Sequence, residues 1–440
     1  MLKQALTGFL APAPHRPRLP DEEVRQLYPR YRFAILEATF LGYATAYLVR
    51  NNLAAVSRDM EGALGYTASM TGAILTVTAL SYGVSKFLMG SVSDRSNPRR
   101  FMPLGLLLTA CLNFAFGSVH SYSWHLVLWA LNGFAQGMMW PPCGRSIGHW
   151  FSVSERGSIF AVWNVAHNVG GGLAGIIAAW AAARWGWEAA FYFPGLLALV
   201  GAGYLAWRLR DTPQSVGLPP VEVYRNDFPP GTQETREQEL GTRELFVRYI
   251  LYNRYLWLFA VANFFVYVVR YSMLDWGPYY IRTVKHATIL DGGVAVLALE
   301  FGGIPSTLLM GWISDRIGGR RGMVSLLCMV PILLAFVGIH LNPPGNLWLD
   351  TTLLGVVGFF VYPPVMLLGV SALDLTSKKA VGTAAGFIGM FGYLGRAAQA
   401  TGLGWLADNC GWDSVMYAIY LATGAAIVLL AFSWRIRPRA

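Results

Sequence analysis

Apolar stretches of about 20 residues, the length a helix needs to cross a hydrocarbon core of about 30 Å, recur along almost the whole chain with short polar turns between them. The pattern predicts twelve membrane-spanning helices, near 31–58, 68–92, 101–119, 123–148, 157–184, 189–207, 255–282, 292–315, 323–341, 346–371, 380–406 and 414–434. Several of these runs are interrupted by polar residues, which suits helices that line an aqueous cavity. The one long polar stretch, RDTPQSVGLPPVEVYRNDFPPGTQETREQEL, is rich in Pro and charge and reads as a linker. The expected organisation is an all-α membrane protein with a six-helix half at 1–207, a linker at 208–250 and a second six-helix half at 251–440.

The two halves repeat each other. GSVSDRSNPRR from Gly90 aligns without gaps on GWISDRIGGRR from Gly311, WPPCG from Trp140 on YPPVM from Tyr362, and GWEAAFY from Gly186 on GWDSVMY from Gly411. The register drifts slowly, as different loop lengths require. Six spans per half, with equivalent loops on one side, give parallel repeats about an axis along the membrane normal. This arrangement resembles the major facilitator architecture. Asp94 and Arg95, with Asp315 and Arg316, fall in equivalent turns between the second and third spans of each half. They read either as turns marked by positive charge or as an ion-pair latch that opens and closes between the halves.

Composition agrees with a lipid environment: 55% of residues are hydrophobic and only 13% charged. The net charge of +10 would fit nucleic acid, but most of the 34 Lys and Arg lie in loops on one side of the predicted spans. The positive-inside rule then makes both termini cytoplasmic, and no nucleic-acid partner is expected. The opening MLKQALTGFLAPAPHRPRLP has too short an apolar run for a cleaved signal sequence. Cys111, Cys143, Cys328 and Cys410 are far apart and suggest neither a metal site nor a disulfide framework. No Ser-His-Asp set or phosphate-cradling loop points to an enzyme, and no cofactor is expected.

An ionisable side chain at membrane depth costs at least about 2.5–3.5 kcal/mol, so each one needs a reason. Tyr43, Tyr47 and Arg50 fall on one face of the first span, and Asn263, Tyr267 and Arg270 repeat that spacing in the seventh. Equivalent positions on the first helix of each half face one another across a central cavity. Two guanidinium forks, always ionised and able to give bidentate hydrogen bonds, suit a phosphate. Lys86, four residues after Tyr82, reads either as a third cavity cation or as a snorkelling side chain. His167, with Trp163 and Asn164 beside it, reads as a packing residue or as a ligand for a group that titrates near neutrality. Glu300 has two readings, pairing with a cavity cation or carrying a coupling proton, and Glu37 and Asp275 complete the acidic set. Trp140, Tyr362 and Tyr393 stand beside prolines or glycines, as cavity lining or as packing.

These residues resemble the organophosphate:phosphate antiporters of the major facilitator superfamily, and among them most of all the glycerol-3-phosphate transporters. The resemblance is carried by YLVRNN (47–52), YGVSKFLMGSVSDRSNPR (82–99), QGMMWPPCGR (136–145), VWNVAHNVGGG (162–172), RDTPQSVGLPP (210–220), FVYVVRYSMLDW (265–276) and KKAVGTAAGF (378–387). It implies a substrate phosphate between Arg50 and Arg270 with His167 also touching it, and cavity roles for Lys86, Tyr43, Tyr47, Tyr82, Trp140, Trp163, Asn164, Tyr267, Tyr362 and Tyr393. Where those transporters carry a Lys this chain has Asn51, and where they carry a Gly it has Arg396. One cation is lost and one gained, and Arg396 is placed to meet a second anionic group such as the carboxylate of phosphoglycerate.

Two arginines approaching in a region of low dielectric repel, and a bound phosphate cancels that repulsion. That favours exchange, and with the substrate the resemblance implies, the expected activity is exchange of external glycerol-3-phosphate for internal inorganic phosphate, by a monomer in the inner membrane. Rival expectations are phosphoglycerate or hexose phosphate as the substrate, proton-coupled symport through Glu37 or Glu300, and a transporter-like organophosphate sensor.

Overall fold

The computed structural model describes residues 9–227, 252–375 and 381–436, and among these every regular element is a helix. The first half comprises α1 (Asp21–Leu48), α2 (Leu53–Leu64), α3 (Ala68–Asp94), α4 (Pro98–Ser118), α5 (Tyr122–Gln136), α6 (Trp140–Trp150), α7 (Val153–Trp185) and α8 (Ala189–Arg208). A 3-10 turn at Pro213–Val216 and the short α9 (Val221–Arg225) follow. The second half comprises α10 (Arg254–Val284), α11 (Ile289–Arg316), α12 (Arg321–Leu341), α13 (Leu347–Leu375), α14 (Val381–Cys410) and α15 (Trp412–Ala431). Taking α1 with α2 and α5 with α6 as single crossings gives six spans per half. Among the described residues nine helices are long and apolar enough to cross a membrane by themselves. The other three crossings, α1 with α2, α5 with α6, and α14, hold the polar residues Tyr47 and Arg50, Gln136 and Trp140, and Tyr393 and Arg396.

Local chemistry fixes the helix ends. Asn97 accepts from the Arg99 amide ahead of Pro98, Thr67 accepts from the Met70 amide, and Glu155 Oε1 accepts from the Ser152 amide at the start of α7 at 3.1 Å. The repeated GW motifs share a backbone reason: Gly186 (φ 89°, ψ 168°) and Gly411 (φ 78°, ψ 171°) make the same turn into the last span of each half, in a conformation that glycine adopts without strain.

Two expected spans are corrected. The first, read as continuous over 31–58, breaks at 49–52 between α1 and α2, and the fourth, read as continuous over 123–148, breaks at 137–139 between α5 and α6. At the second break Pro141 and Pro142 enter the first turn of α6, where a missing amide hydrogen costs nothing. Their counterparts in the other half do not break: α10 runs through Arg270, and α13 runs through Pro363 and Pro364.

The chain ahead of α1 and the stretch after α8 are strapped together across the first half. Ala13 N–H donates to Asp211 Oδ2 at 2.8 Å, Arg16 N–H to the Gln214 carbonyl and Leu19 N–H to the Gly217 carbonyl, both at 2.9 Å. Tyr28 stacks on Tyr224 with centroids 3.9 Å apart, and Arg145 is ion-paired to Asp211 at 2.7 Å. The first part of the expected linker is thus folded onto the first half as far as Asp227, and residues 228–251 lie outside the described residues.

The halves meet through α3 against α14 and through α7 against α11. A methyl group added at Gly72 would stand 2.3 Å from the Ala400 carbonyl oxygen, and one at Gly404 2.6 Å from the Ala68 carbonyl oxygen, so these backbones touch because side chains are absent. Asp408 accepts from the amides of Ala68 and Ser69 at 3.0 and 2.7 Å, Arg282 clamps Asp59 with two bonds of 2.5 and 2.8 Å, and the Tyr279 hydroxyl donates to Glu61. These cross-half bonds lie at the end of the bundle opposite the two Ser-Asp-Arg turns. Of the residues read as a latch in those turns, the side chains of Asp94 and Asp315 lie outside the described residues, Arg95 is exposed, and Arg316 lies over Trp312 of its own helix at 4.2 Å.

Replacing Gly72 by leucine forces the Ala400 backbone away and should cost about 1–3 kcal/mol. The expected result is a lower thermal unfolding temperature in detergent, with Gly90→Leu, whose added carbon meets nothing within 4 Å, leaving it within error of the parent.

Candidate functional site

The break after α1 presents Arg50. Arg50 and Asn51 both direct their amides to the Tyr47 carbonyl, at 3.2 and 3.0 Å, so the Ala46 carbonyl loses the amide that a continuing helix would supply. Gln136 Nε2 of α5 takes that place at 2.9 Å. The Val49 carbonyl receives Asn113 Nδ2 of α4 and Asn132 Nδ2 of α5, each at 2.9 Å, and Asn52 Nδ2 bonds Asn113 Oδ1 at 2.8 Å and the Ala190 carbonyl at 2.9 Å. Non-helical backbone at membrane depth is tolerated only where protein groups satisfy it, and here amide side chains from two other helices do so. Asn51 itself is half-buried in the turn.

Arg50 and Arg270 are 7% and 6% exposed. The Arg50 guanidinium lies over the Tyr47 ring at 3.8 Å and the Tyr82 ring at 5.0 Å, and that of Arg270 over Tyr362 at 4.5 Å and Tyr271 at 5.0 Å. Among the described residues neither is in a salt bridge, and the Nε of each is buried with no hydrogen-bond partner. Burying a charge without a counterion is costly, so this geometry leaves a place where an anion would be strongly stabilised.

Rings connect the two arginines. Tyr47 is 6.2 Å from His167 and His167 is 5.7 Å from Tyr362, which carries the contact from the first half to the second. Tyr82 meets Tyr393 at 5.3 Å, and Tyr393 meets Tyr267 at 5.8 Å. Lys86, half-buried, turns inward, with its Nζ 4.8 Å from the Trp140 ring centroid and 6.0 Å from that of Tyr393. Asn164 is half-buried one turn before His167. Tyr43 and Trp163 pack together at 4.8 Å, and Trp163 is fully buried behind the tyrosine.

The acidic residues sort differently from one another. Glu300, fully buried, accepts from the Tyr362 hydroxyl and from Asn168 Nδ2 at 3.2 Å, and its second oxygen has no partner. It makes no ion pair with Arg270; the Tyr362 ring lies against the arginine and its hydroxyl against the carboxylate. Asp275 receives Arg396 at 3.2 Å and Gln399 at 2.9 Å, so the charge of Arg396 is already answered within the second half. Glu37 is ion-paired to Arg208 at 2.9 Å near the end of α8, away from the arginine pair.

The sequence reading missed Tyr271, whose ring lies under both Arg270 and Arg396, the latter at 4.1 Å. Its only signal was adjacency to Arg270. It also left Gln136, Asn113 and Asn132 unassigned, since nothing local tells a buried amide that supports a neighbouring helix from one that caps its own.

Gln136→Leu should leave the Ala46 carbonyl buried and unpaired, at a cost of about 1–3 kcal/mol. A drop in thermal stability is expected, and Gln136→Glu at low pH, where the protonated acid can still donate, should recover part of it.

The profile of the Major Facilitator Superfamily matches residues 39–400. The chain is 42% identical over 442 residues to the glycerol-3-phosphate transporter of Bacillus subtilis (strain 168), covering 99% of each, and 37% identical over 434 residues to the membrane sensor protein UhpC of Escherichia coli (strain K12), covering 98% of this chain and 99% of that one. Among solved structures it is similar to a bacterial homologue of the human lysosomal transporter Spinster, in an inward-facing and unoccupied conformation, with a TM-score of 0.70, 16% identity, and coverage of 92% of this chain and 95% of that one. A twelve-span, two-half helical fold with a full-length family match therefore makes this chain a member of the Major Facilitator Superfamily, a multi-pass membrane transport protein and not an enzyme.

Proposed function

We propose that the protein exchanges an organophosphate, glycerol-3-phosphate, for inorganic phosphate by alternating access, with the phosphoryl group held between Arg50 and Arg270. The observation that carries this reading is the pair of buried guanidinium groups, one from each half, set among aromatic rings with no carboxylate partner among the described residues. Similarity to a glycerol-3-phosphate transporter along the full chain supports the substrate class. His167, between Tyr47 and Tyr362, and Lys86, over Trp140, stand where a bound phosphate or its organic tail would meet them.

The exchange follows from electrostatics. Bringing the halves together around an empty site concentrates two positive charges in a poorly solvated space, and an anion bound by both removes the penalty. The Ser-Asp-Arg turns face the cytoplasm by the positive-inside rule, so the shut end is the external one. Opening it requires breaking Arg282–Asp59, Tyr279–Glu61 and the Asp408 bonds to α3.

Substrate choice turns on Arg396. With Asp275 bonded to it, its charge is neutralised, and a substrate with one anionic end and a neutral glycerol tail leaves that pair intact. A second anionic group has to compete with Asp275. Similarity to a membrane sensor supports a second reading, in which ligand binding is signalled and not transported.

Phosphate-loaded proteoliposomes given labelled glycerol-3-phosphate test the proposal. Exchange is expected, falling about 100-fold or more in Arg50→Ala and in Arg270→Ala. Full activity in either variant would exclude the arginine clamp, and binding without exchange in the parent would favour the sensor. Asp275→Asn should shift the preference from glycerol-3-phosphate toward phosphoglycerate by about 10-fold, one charge-assisted hydrogen bond's worth, read by competition in the same vesicles.

A further inference from the structure

A second cationic site lies outside the central cavity, where α1 and α8 meet at the Ser-Asp-Arg end of the first half. A groove of about 230 Å³ is lined there by Leu27, Arg30, Tyr31, Trp207, Arg208 and Arg210. Arg99 adds a fourth guanidinium nearby, with its Nε donating to the Ala206 carbonyl at 2.8 Å. Among the described residues one carboxylate answers this group: Glu37, which receives Arg208. Arg30 is exposed and makes no ion pair among them. Arg210 directs one nitrogen, Nη1, at the carbonyls of Trp207 and Leu209, both at 2.7 Å, which fixes its side chain at the C-terminal end of α8 with nitrogens to spare.

We infer that this groove binds the phosphate of an anionic membrane phospholipid. The position decides the depth: α8 is an apolar span ending at Arg208, so the groove sits where hydrocarbon gives way to headgroups. Its walls are mixed as such a ligand requires. Trp207 and, one turn away on α1, Phe33 are each 65% exposed, large apolar surfaces beside a basic cleft, while Leu27 and Tyr31 offer a wall for the first methylenes of an acyl chain. A free phosphate would use the arginines but gain nothing from the apolar half. The transport site is a different one, since Arg50 and Arg270 lie deep between the halves and this groove belongs to two helices of one half.

The test uses the full-length protein by native mass spectrometry in detergent with phosphatidylglycerol or phosphatidylcholine, comparing the parent with R30Q/R210Q and R30K/R210K. One phosphatidylglycerol should be retained in preference to phosphatidylcholine. The Gln pair should weaken it roughly 30-fold, about fivefold per lost charge, and the Lys pair should retain it within a fewfold. A second reading needs no change of charge: phosphatidylglycerol with brominated acyl chains should quench indole fluorescence more than the phosphatidylcholine analogue, and Trp207→Phe should abolish the difference. Equal retention of both lipids, undiminished phosphatidylglycerol binding in R30Q/R210Q, or displacement of the lipid by millimolar inorganic phosphate that itself binds with the same arginine dependence would overturn the lipid assignment.

Discussion

Two guanidinium groups held at membrane depth without counterions are the constraint that the rest of this structure accommodates. Each is over nine-tenths buried and comes from the first span of its half, so the repeat sets one guanidinium from each half among a shared set of aromatic rings. Hydrocarbon would expel such charges. The aromatic rings of Tyr47, Tyr82, Tyr271 and Tyr362 supply negative π-faces in place of carboxylates, which holds the charges in position without neutralising them. That incomplete compensation is the basis of the proposed anion site.

Symmetry of sequence is not symmetry of backbone. Arg270 stands in the middle of a continuous helix, whereas Arg50 stands on a turn whose free carbonyls are taken by Gln136, Asn113 and Asn132. The two halves thus present equivalent guanidinium groups on different backbones, one a continuous helix and the other a braced turn. Acidic residues follow the same division of labour: Asp275 occupies Arg396, Glu300 is held by Tyr362 and Asn168, and Asp59 and Asp408 join the halves at the closed end. Asn168 and Glu300 come from opposite halves, so this bond couples the cavity wall to the contact between α7 and α11.

The crossings with the weakest hydropathy all contribute side chains around the arginine pair, beside Tyr82, His167, Arg270 and Tyr362 from more apolar spans. α1 with α2, α5 with α6, and α14 carry tyrosines, amides and arginines that set them apart from the nine apolar spans among the described residues. Close contact without bulk, as at Gly72 and Gly404, lets α3 and α14 seal one end while leaving the polar interior intact.

The sequence by itself determined the spans, the repeat and the two arginines, because hydrophobic length, motif register and charge at membrane depth are local quantities. It also marked Tyr47, Tyr82, Tyr362 and His167 through helical spacing and family resemblance, and the structure brings these rings together. Tertiary structure alone decided where each charge finds its partner. Nothing in the order of residues told that Asp275 answers Arg396, that a tyrosine separates Glu300 from Arg270, or that the first span breaks at 49–52 while its repeat continues. Those outcomes depend on groups far apart in the chain competing for the same buried donors and acceptors, and only packing settles that competition.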